Sequence, residues 1–267
     1  MTRVRCLYPF DAPTQERLRA AALKAEIVFA GRDSQAGVDA LEGDDIDALL
    51  ANFCPSDLRK LPELRWLGII GAGIDHIRAG RPWDHGVTVT NGSGLHGTAM
   101  GEFTLAYMLH IAQRVADRQA NQANRGWPGP WTDPWLALRG RSLRGKTVTV
   151  VGYGSLGREV ARLAHAFGMR VLAVKADPST RRDRGYSAPG TGDPNGGIPE
   201  RIGSLAEVRS LFAESDYVVL TLPSTARTER VIDSTAIGAL PRHAALINIA
   251  RGTILDEDAL ADALRRG

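Results

Sequence analysis

Three glycines in the second half of the chain have the spacing of a phosphate-binding turn. Gly152, Gly154 and Gly157 follow an apolar run and precede a helical pattern. In a G-x-G-x-x-G turn the first glycine permits a tight turn, the second lets the backbone approach a pyrophosphate, and the third lets the helix pack on the strand. Amide groups and partial positive charge at the helix N-terminus also favour phosphate. The motif predicts a dinucleotide site, and a nucleotide-free turn in a similar fold is the alternative.

The residue expected to contact the adenosine ribose is basic. In this fold an acidic residue at the end of the next strand usually accepts hydrogen bonds from the ribose 2′-hydroxyl, but this chain has Lys175 there. An ammonium group cannot accept those bonds, and it pairs well with a 2′-phosphate. Arg181 and Arg182 follow a few residues later, whereas Asp177 is an alternative ribose acceptor. The position therefore leaves both NAD and NADP open as the cofactor.

The glycine-rich motif belongs to a long alternation of short apolar runs and helical patterns. This alternation predicts an α/β fold in which helices cover parallel sheets, with a Rossmann doubly wound sheet in the second half. A helical pattern over about 96–124 is interpreted as the connection between two domains, 1–96 and 97–267. The predicted strands are Val4 to Tyr8, Glu26 to Ala30, Ala48 to Phe53, Arg65 to Ile70, Val87 to Thr90, Thr147 to Val151, Arg170 to Val174, Tyr217 to Leu222 and Ala245 to Ala250.

Two features of the second half depart from a simple doubly wound pattern. The stretch Arg181 to Gly203 holds six Gly and three Pro in 23 residues, and we interpret it as a tolerated surface insertion, with a functional loop as the alternative. Only four strands are predicted after Gly145, whereas the order 3-2-1-4-5-6 has six. Because the last predicted strand would leave an apolar edge, we expect the last strands to be absent and the natural sequence to continue beyond Gly267. A short variant completed by a partner is the alternative.

The composition argues against several other classes of protein. The net charge is +3, the pI is near 9.1 and basic residues are spread along the chain, so no nucleic-acid binding is expected. No apolar run reaches the ~18 residues of a membrane span, and no metal site is predicted. Cys6 and Cys54 lie in apolar runs and are interpreted as buried hydrophobes rather than nucleophiles. These features favour a cytoplasmic protein.

Four motifs in order resemble those of the D-isomer-specific 2-hydroxyacid dehydrogenases. The first is Gly71-Ala72-Gly73-Ile74-Asp75, and the second runs from Leu143 through the glycine-rich turn to Met169. Leu222-Pro223 through Thr228 and Asn248-Ile249-Ala250-Arg251-Gly252 complete the set. The resemblance extends from about Leu61 to the end of the chain. It implies a flavodoxin-like substrate domain, a Rossmann NAD(P) domain and a substrate held between them.

The resemblance also implies roles for particular residues. Arg251 would be the catalytic arginine, because a guanidinium can grip the carboxylate of a keto acid and polarise its carbonyl; an ion pair with Asp256 or Glu257 is the alternative. Backbone amides of Ala72 and Gly73 would bind the substrate carboxylate, and a plain turn is the competing explanation. The implied cofactor contacts are Ser155 and Leu156 at the pyrophosphate, Leu222, Pro223, Ile249 and Ala250 at the nicotinamide, and Thr98 at the start of the connecting helix.

The proton donor is where the sequence departs from the family. Hydride transfer to a keto acid also needs a histidine tuned by a carboxylate, and in the family both follow the helix that ends this chain. Of the six histidines only His96 lies near the expected cleft, where a solvated loop residue is the alternative. The resemblance implies reversible reduction of glyoxylate, hydroxypyruvate or a similar acid by NAD(P)H, and a homodimer packed through Gln119 to Trp135. The alternatives are a non-catalytic NAD(H)-binding interaction protein and a formate, phosphite or phosphoglycerate dehydrogenase.

Overall fold

The computed structural model describes residues 1–43, 45–127, 129–133, 136 and 138–267. The chain divides into two compact units, Met1–Ser93 and Gly94–Gly267. Each unit contains one parallel five-stranded sheet with helices. The prediction of an α/β fold built on parallel sheets is therefore confirmed.

The first unit has the strand order of a flavodoxin-like sheet, β2-β1-β3-β4-β5. Asp11 and Ser34 cap the two helices by accepting hydrogen bonds from backbone amides three residues on. The central strands supply the core, in which Leu49 and Leu67 are fully buried. The strands are β1 (Thr2–Cys6), β2 (Ala25–Phe29), β3 (Ala48–Ala51), β4 (Trp66–Ile69) and β5 (Thr88–Asn91), and the helices are α1 (Ala12–Ala21) and α2 (Gln35–Asp39).

The second unit is a doubly wound sheet in the order β10-β9-β6-β7-β8. Numbered within this unit alone, that order is 3-2-1-4-5 read from the opposite edge, as in a Rossmann sheet. The strands are β6 (Thr147–Val151), β7 (Arg170–Val174), β8 (Arg201–Gly203), β9 (Tyr217–Leu220) and β10 (Ala245–Asn248). The helices are α3 (Gly97–Ala112), α4 (Val115–Ala123), α5 (Ser155–Ala166), α6 (Val208–Ala213), α7 (Ser234–Gly238) and α8 (Glu257–Arg266).

The prediction of four strands in this unit was wrong by one strand. The missed strand, β8, ends the glycine-rich and proline-rich stretch and pairs in parallel with β7. Its three residues are too few to show an apolar period, and it forms because β7 offers a free edge. At the other edge, β10 pairs with β9 in the described part of the chain, and Ala245, Leu246 and Ile247 are only half-buried.

The helix predicted over about 96–124 is divided in two. Arg114 adopts a left-handed conformation, with φ of 51°, between α3 and α4. The carbonyl oxygen of Ala112 accepts a hydrogen bond from the amide of Arg141 at 2.7 Å, so the end of α3 is bonded to a distant segment instead of a following helical turn. Part of the predicted dimer region, including Pro128, Pro134 and Trp135, lies outside the described residues. None of the described helices is long and apolar enough to cross a membrane.

Candidate functional site

The glycine-rich turn joins β6 to α5, and two of its glycines are required by close packing. Gly152 has a φ of 109°, and a Cβ atom there would lie 2.8 Å from the Thr221 carbonyl carbon. A Cβ at Gly157 would lie 2.9 Å from a side-chain carbon of Val150 and would overlap the Gly152 carbonyl oxygen. The hydroxyl of Thr221 donates to the carbonyl oxygen of Gly152 at 2.6 Å. The turn is therefore held tightly against the ends of β6 and β9.

The middle glycine has the opposite surroundings. Gly154 is exposed, and a Cβ built on it meets no described atom within 4 Å. It is the N-cap of α5 and provides no side-chain cap, so amides of the first helical turn remain available to an external acceptor. Ser155 and Leu156 are half-buried in that turn. A small open cradle at a helix N-terminus fits the pyrophosphate of a dinucleotide.

The end of β7 carries the residues that could contact a ribose. The Lys175 ammonium donates a hydrogen bond to the Thr180 carbonyl oxygen. The Asp177 carboxylate accepts hydrogen bonds from the Ser179 hydroxyl at 2.6 Å and the Thr180 hydroxyl at 2.5 Å. These bonds lower the pKa of Asp177 to about 2. The carboxylate is thus charged and already engaged within its own turn, whereas Lys175 and the exposed Arg182 leave the turn basic.

A buried arginine joins the first turn of α5 to the glycine-rich and proline-rich stretch. Arg158 has no exposed surface. Its guanidinium donates to the backbone carbonyl oxygens of Asp193 and of Arg181, the latter at 2.6 Å. The guanidinium carbon lies 4.5 Å from the centre of the Tyr153 ring, and Nε lies 3.4 Å from a carboxylate oxygen of Asp183. We call Tyr153, Arg158, Asp183 and Asp193 the Arg158 cluster.

The same stretch is bonded to the turn through two carboxylates. The Tyr153 hydroxyl donates to the Asp193 carboxylate at 2.6 Å, and the amides of Gly197 and Ile198 donate to it as well. Burial alone would raise the pKa of Asp193, but these hydrogen bonds outweigh it, so the pKa is lowered. The Glu159 carboxylate accepts a hydrogen bond from the Gly192 amide at 2.6 Å.

These contacts change the interpretation of the stretch that the sequence suggested was a tolerated surface insertion. Residues 181–198 are docked on the glycine-rich turn by buried polar groups of α5, and residues 201–203 form β8. A loosely attached insertion would not bury an arginine and two carboxylates. We call residues 181–198 the docked segment.

The loops after β9 and β10 contain the residues implied at the nicotinamide. Leu222 is half-buried and Pro223 is exposed. The buried Thr228 hydroxyl closes this loop by donating to the Pro223 carbonyl oxygen at 2.6 Å. Ile249 and Ala250 are half-buried beyond β10. Both loops follow the carboxyl ends of parallel strands, at the same edge of the sheet as the glycine-rich turn.

Arg251 is an exposed residue three positions beyond the end of β10. The Asn248 side chain holds its backbone, because the amide group donates to the Arg251 carbonyl oxygen and the amide oxygen accepts from Ala250, both at 2.9 Å. Arg251 Nη1 donates to the Ala250 carbonyl oxygen at 2.9 Å. Of the two carboxylates that the sequence offered as alternative ion-pair partners of Arg251, Asp256 and Glu257, Asp256 pairs with Arg230 at 2.8 Å and caps α8.

Thr98 is exposed in the first turn of α3. The starts of α3 and α5 lie side by side, since a Cβ built on Gly97 would be 4.0 Å from the Ser155 carbonyl oxygen. One turn later, a Cβ on Gly101 would be 2.8 Å from a side-chain carbon of Glu159. The fold therefore brings Thr98 near the N-terminus of α5.

In the first unit the Gly71–Gly73 loop follows β4. The Gly71 amide donates to the Asn52 side chain at 2.8 Å, and the Asn91 side chain donates to the Ala72 carbonyl oxygen at 2.7 Å. The Asp33 carboxylate accepts hydrogen bonds from both the backbone and the side-chain amide of Asn52 at 2.8 Å. The amides of Ala72 and Gly73 have no acceptor among the described residues, and Ala72 is exposed. This loop can therefore offer two amide donors to an anion.

Three further observations concern the remaining titratable side chains, each within its own unit. His243 lies 3.1 Å from Asp216, which precedes β9 at the end of the sheet opposite Arg251. Burial raises the pKa of the Cys54 thiol to about 11, as expected for a buried, unreactive cysteine. No group of three His, Cys, Asp or Glu side chains that could hold a metal ion occurs in the described ranges.

Sequence reasoning missed the Arg158 cluster. Arg158 follows Gly157 directly, on an amphipathic helix whose charged residues would normally face solvent. The only sequence feature that could have indicated the burial of Arg158 is the presence of its partners far along the chain, such as Asp193, 35 residues later. That spacing has no periodic signal.

A doubly wound parallel sheet with a glycine-rich turn before a helix defines a Rossmann-like nucleotide-binding protein. The family model for the D-isomer specific 2-hydroxyacid dehydrogenase, NAD binding domain, matches residues 105–267. The chain therefore belongs to the D-isomer specific 2-hydroxyacid dehydrogenase family.

Individual relatives agree with this assignment. A glyoxylate reductase of Aeropyrum pernix is 33% identical over 85% of this chain and 64% of the relative. A hydroxypyruvate reductase of Thermotoga maritima is 28% identical over 76% of this chain and 59% of the relative. The crystal structure of a D-isomer specific 2-hydroxyacid dehydrogenase family protein from Aeromonas salmonicida is 25% identical, with a TM-score of 0.75, covering 100% of this chain and 78% of that one. The chain thus spans about three fifths of the length of the two curated relatives.

Proposed function

We propose that this protein is an NAD(P)-dependent oxidoreductase that interconverts a small 2-keto acid, such as glyoxylate or hydroxypyruvate, and the D-2-hydroxy acid. The observation that carries this proposal is the position of Arg251, at the same edge of one parallel sheet as the glycine-rich turn. Ligands of doubly wound sheets bind at that edge. The names of the relatives, glyoxylate reductase and hydroxypyruvate reductase, support the substrate class.

The residues of the chain bind and orient the reactants. A bound nicotinamide cofactor supplies the hydride chemistry. The Arg251 guanidinium grips the acid through two parallel hydrogen bonds and polarises the adjacent carbonyl. The amides of Ala72 and Gly73 donate to the substrate carboxylate.

The cofactor contacts are proposed within the second unit. Gly152, Gly154 and Gly157 shape the turn at which the Ser155 and Leu156 amides bind the pyrophosphate. Thr98 adds a contact beside them. The loops after β9 and β10 offer an apolar surface to the nicotinamide, formed by Leu222, Pro223, Ile249 and Ala250.

A test of the role of Arg251 in substrate binding compares three variants. Arg251→Ala should lower kcat/KM for glyoxylate or hydroxypyruvate at least a hundredfold, because a bidentate charge-assisted contact is lost. Arg251→Lys keeps the charge without the fork and should retain intermediate turnover. Arg242→Ala, at the opposite end of β10, is the matched control and should be active. NADPH and NADH affinity, measured by fluorescence titration, should stay within twofold of wild type in all three.

Unchanged turnover of Arg251→Ala would overturn the role of this residue. The alternative is a non-catalytic NAD(H)-binding interaction protein of the same fold. Tight NAD(P)H binding without turnover of any 2-keto acid by the wild-type protein would support that candidate.

The basic turn after β7 favours NADP as the preferred cofactor. Lys175 and Arg182 can pair with a 2′-phosphate, and Asp177 is engaged with Ser179 and Thr180. Lys175→Asp should weaken NADPH binding at least tenfold and leave NADH binding unchanged or improved. If Lys175→Asp did not change the preference between NADPH and NADH, Lys175 would have no role in that preference.

We also propose a cytoplasmic homodimer, and light scattering of the purified protein tests its stoichiometry.

A further inference from the structure

The Arg158 cluster is the one polar group in the described part of the chain that buries an arginine completely. Burying a guanidinium is costly unless hydrogen bonds and opposite charge compensate it. The carbonyl oxygens that accept from Arg158 belong to Arg181 and Asp193, and the nearby carboxylate belongs to Asp183. All three residues lie in the docked segment. Arg158 can therefore be buried in this way only while the docked segment is in place.

The cluster also includes the glycine-rich turn itself. Tyr153 is the residue between the first two glycines, and its ring and hydroxyl contact Arg158 and Asp193 respectively. The Gly192 amide donates a hydrogen bond to Glu159 in the second turn of α5. The turn, the start of α5 and the docked segment are thus one bonded unit, although Asp193 lies 40 residues after Tyr153.

This unit fixes the start of the docked segment beside the end of β7. Lys175 donates to the Thr180 carbonyl oxygen, and Arg158 donates to the carbonyl oxygen of the next residue, Arg181. Arg182 follows directly. Its side chain is exposed and has no ion-pair partner within the described ranges. Two residues span at most about 7 Å, so the Arg182 backbone lies close to the Lys175 ammonium.

The charge of this region is unbalanced. Residues 175–184 include four cations and two carboxylates. Both carboxylates are occupied, Asp177 by Ser179 and Thr180 and Asp183 by the buried Arg158. The cations outnumber the carboxylates by two, so this turn has an excess of positive charge, and a dianionic phosphate placed between Lys175 and Arg182 would match it.

We propose that Arg158, Tyr153 and Asp193 are positioning residues that set the discrimination between NADPH and NADH by holding Arg182 beside Lys175. This inference rests on the proposed function, because it assumes that the glycine-rich turn binds a nicotinamide dinucleotide. The side chains of Arg158, Tyr153 and Asp193 are buried, so we assign them no contact with the cofactor. The cluster acts through the backbone of the docked segment. Because this segment is rich in glycine, its backbone can move when the cluster is weakened.

The experiment measures Kd for NADPH and NADH by fluorescence titration of the full chain. Arg182→Ala should raise the Kd for NADPH about tenfold or more and leave that for NADH within twofold. Arg184→Ala removes an equal charge two residues later and is the matched control, with at most a twofold effect. Equal effects of the two variants would indicate diffuse attraction and overturn the specific role of Arg182.

Two mild variants test the positioning role. Tyr153→Phe removes one hydrogen bond to Asp193 and keeps the ring, and Arg158→Lys keeps the charge and loses the planar fork. Each should raise the Kd for NADPH about threefold to tenfold with little change for NADH. Trypsin should also cleave after Arg181, Arg182 or Arg184 faster than in wild type. Trypsin cleavage measures docking without any bound cofactor.

A double-mutant cycle separates positioning from general stabilisation. If Arg158 acts through Arg182, then Arg158→Lys should have no further effect on NADPH binding in the Arg182→Ala background. Additive losses, or equal losses for NADPH and NADH, would overturn the proposal. Failure of the wild-type chain to bind either dinucleotide would instead overturn the proposed function, so the two failures are distinguishable.

Discussion

The two units position a glycine-containing loop at the carboxyl end of a parallel strand by different means. In the first unit, Asn52 and Asn91 hold the Gly71–Gly73 loop through partly buried and exposed hydrogen bonds from neighbouring strand ends. In the second unit, the glycine-rich turn is held by contacts too close for a side chain and by the buried Arg158. The first loop is therefore held by polar side chains alone, whereas the second is held by steric contacts together with a buried polar cluster.

The largest effect should come from adding one methyl group to the glycine-rich turn. Gly157→Ala would place a Cβ against the Gly152 carbonyl oxygen, so the backbone must shift. We expect a loss of about 1–3 kcal/mol in the free energy of unfolding, and loss of NAD(P)H binding.

Gly154→Ala is the matched control, because its Cβ meets open space. We expect a melting temperature close to wild type and weakened NAD(P)H binding, since the methyl group would fill the cradle. Thermal unfolding and fluorescence titration measure the two properties separately. A Gly157→Ala protein as stable as wild type would show that packing does not define this turn.

A smaller effect is expected for the loop of the first unit. Asn52→Ala removes the acceptor of the Gly71 amide and one donor to Asp33. We expect a cost of about 1 kcal/mol in the free energy of unfolding, because partly buried polar groups lose their partners. Asn91→Ala removes an exposed bond and should cost less. Amide hydrogen exchange at Gly71 should rise in the Asn52 variant, because this amide loses its acceptor, and unchanged exchange would contradict the proposed support of the loop.

The smallest expected effect is a pH dependence of the docked segment. The folded pKa of Asp193 lies below its ordinary value of 3.8. Its carboxylate therefore contributes its full stabilisation above about pH 4, and this contribution is lost as the pH falls through the folded pKa. The free energy of unfolding of the wild type, measured with urea, should fall more steeply below about pH 4 than that of Asp193→Asn, which has no carboxyl group at this position to titrate. Parallel curves for the two proteins would remove Asp193 from the explanation.

The sequence predicted most of the fold because the relevant signals are local. β6 and β7 have the bounds predicted for them, since their continuous apolar runs mark strands that are buried on both faces. Family motifs identified the glycine-rich turn and placed Arg251 after the last strand. The short β8 was missed because three residues carry no period. The division at Arg114 was missed because the Ala112 carbonyl oxygen is bonded to Arg141, far along the chain.

The sequence by itself determined the glycine-rich turn, because the positions that have no room for a side chain are themselves occupied by glycine. Only the tertiary structure decided the environment of Arg158. The position of this residue on an amphipathic helix predicts a charge exposed to solvent. Its burial depends instead on the backbone acceptors that Arg181 and Asp193 supply. The same contacts decided that the glycine-rich and proline-rich stretch is docked. Residues so far apart in sequence come into contact only in the folded sheet, so no local sequence pattern predicts the contact.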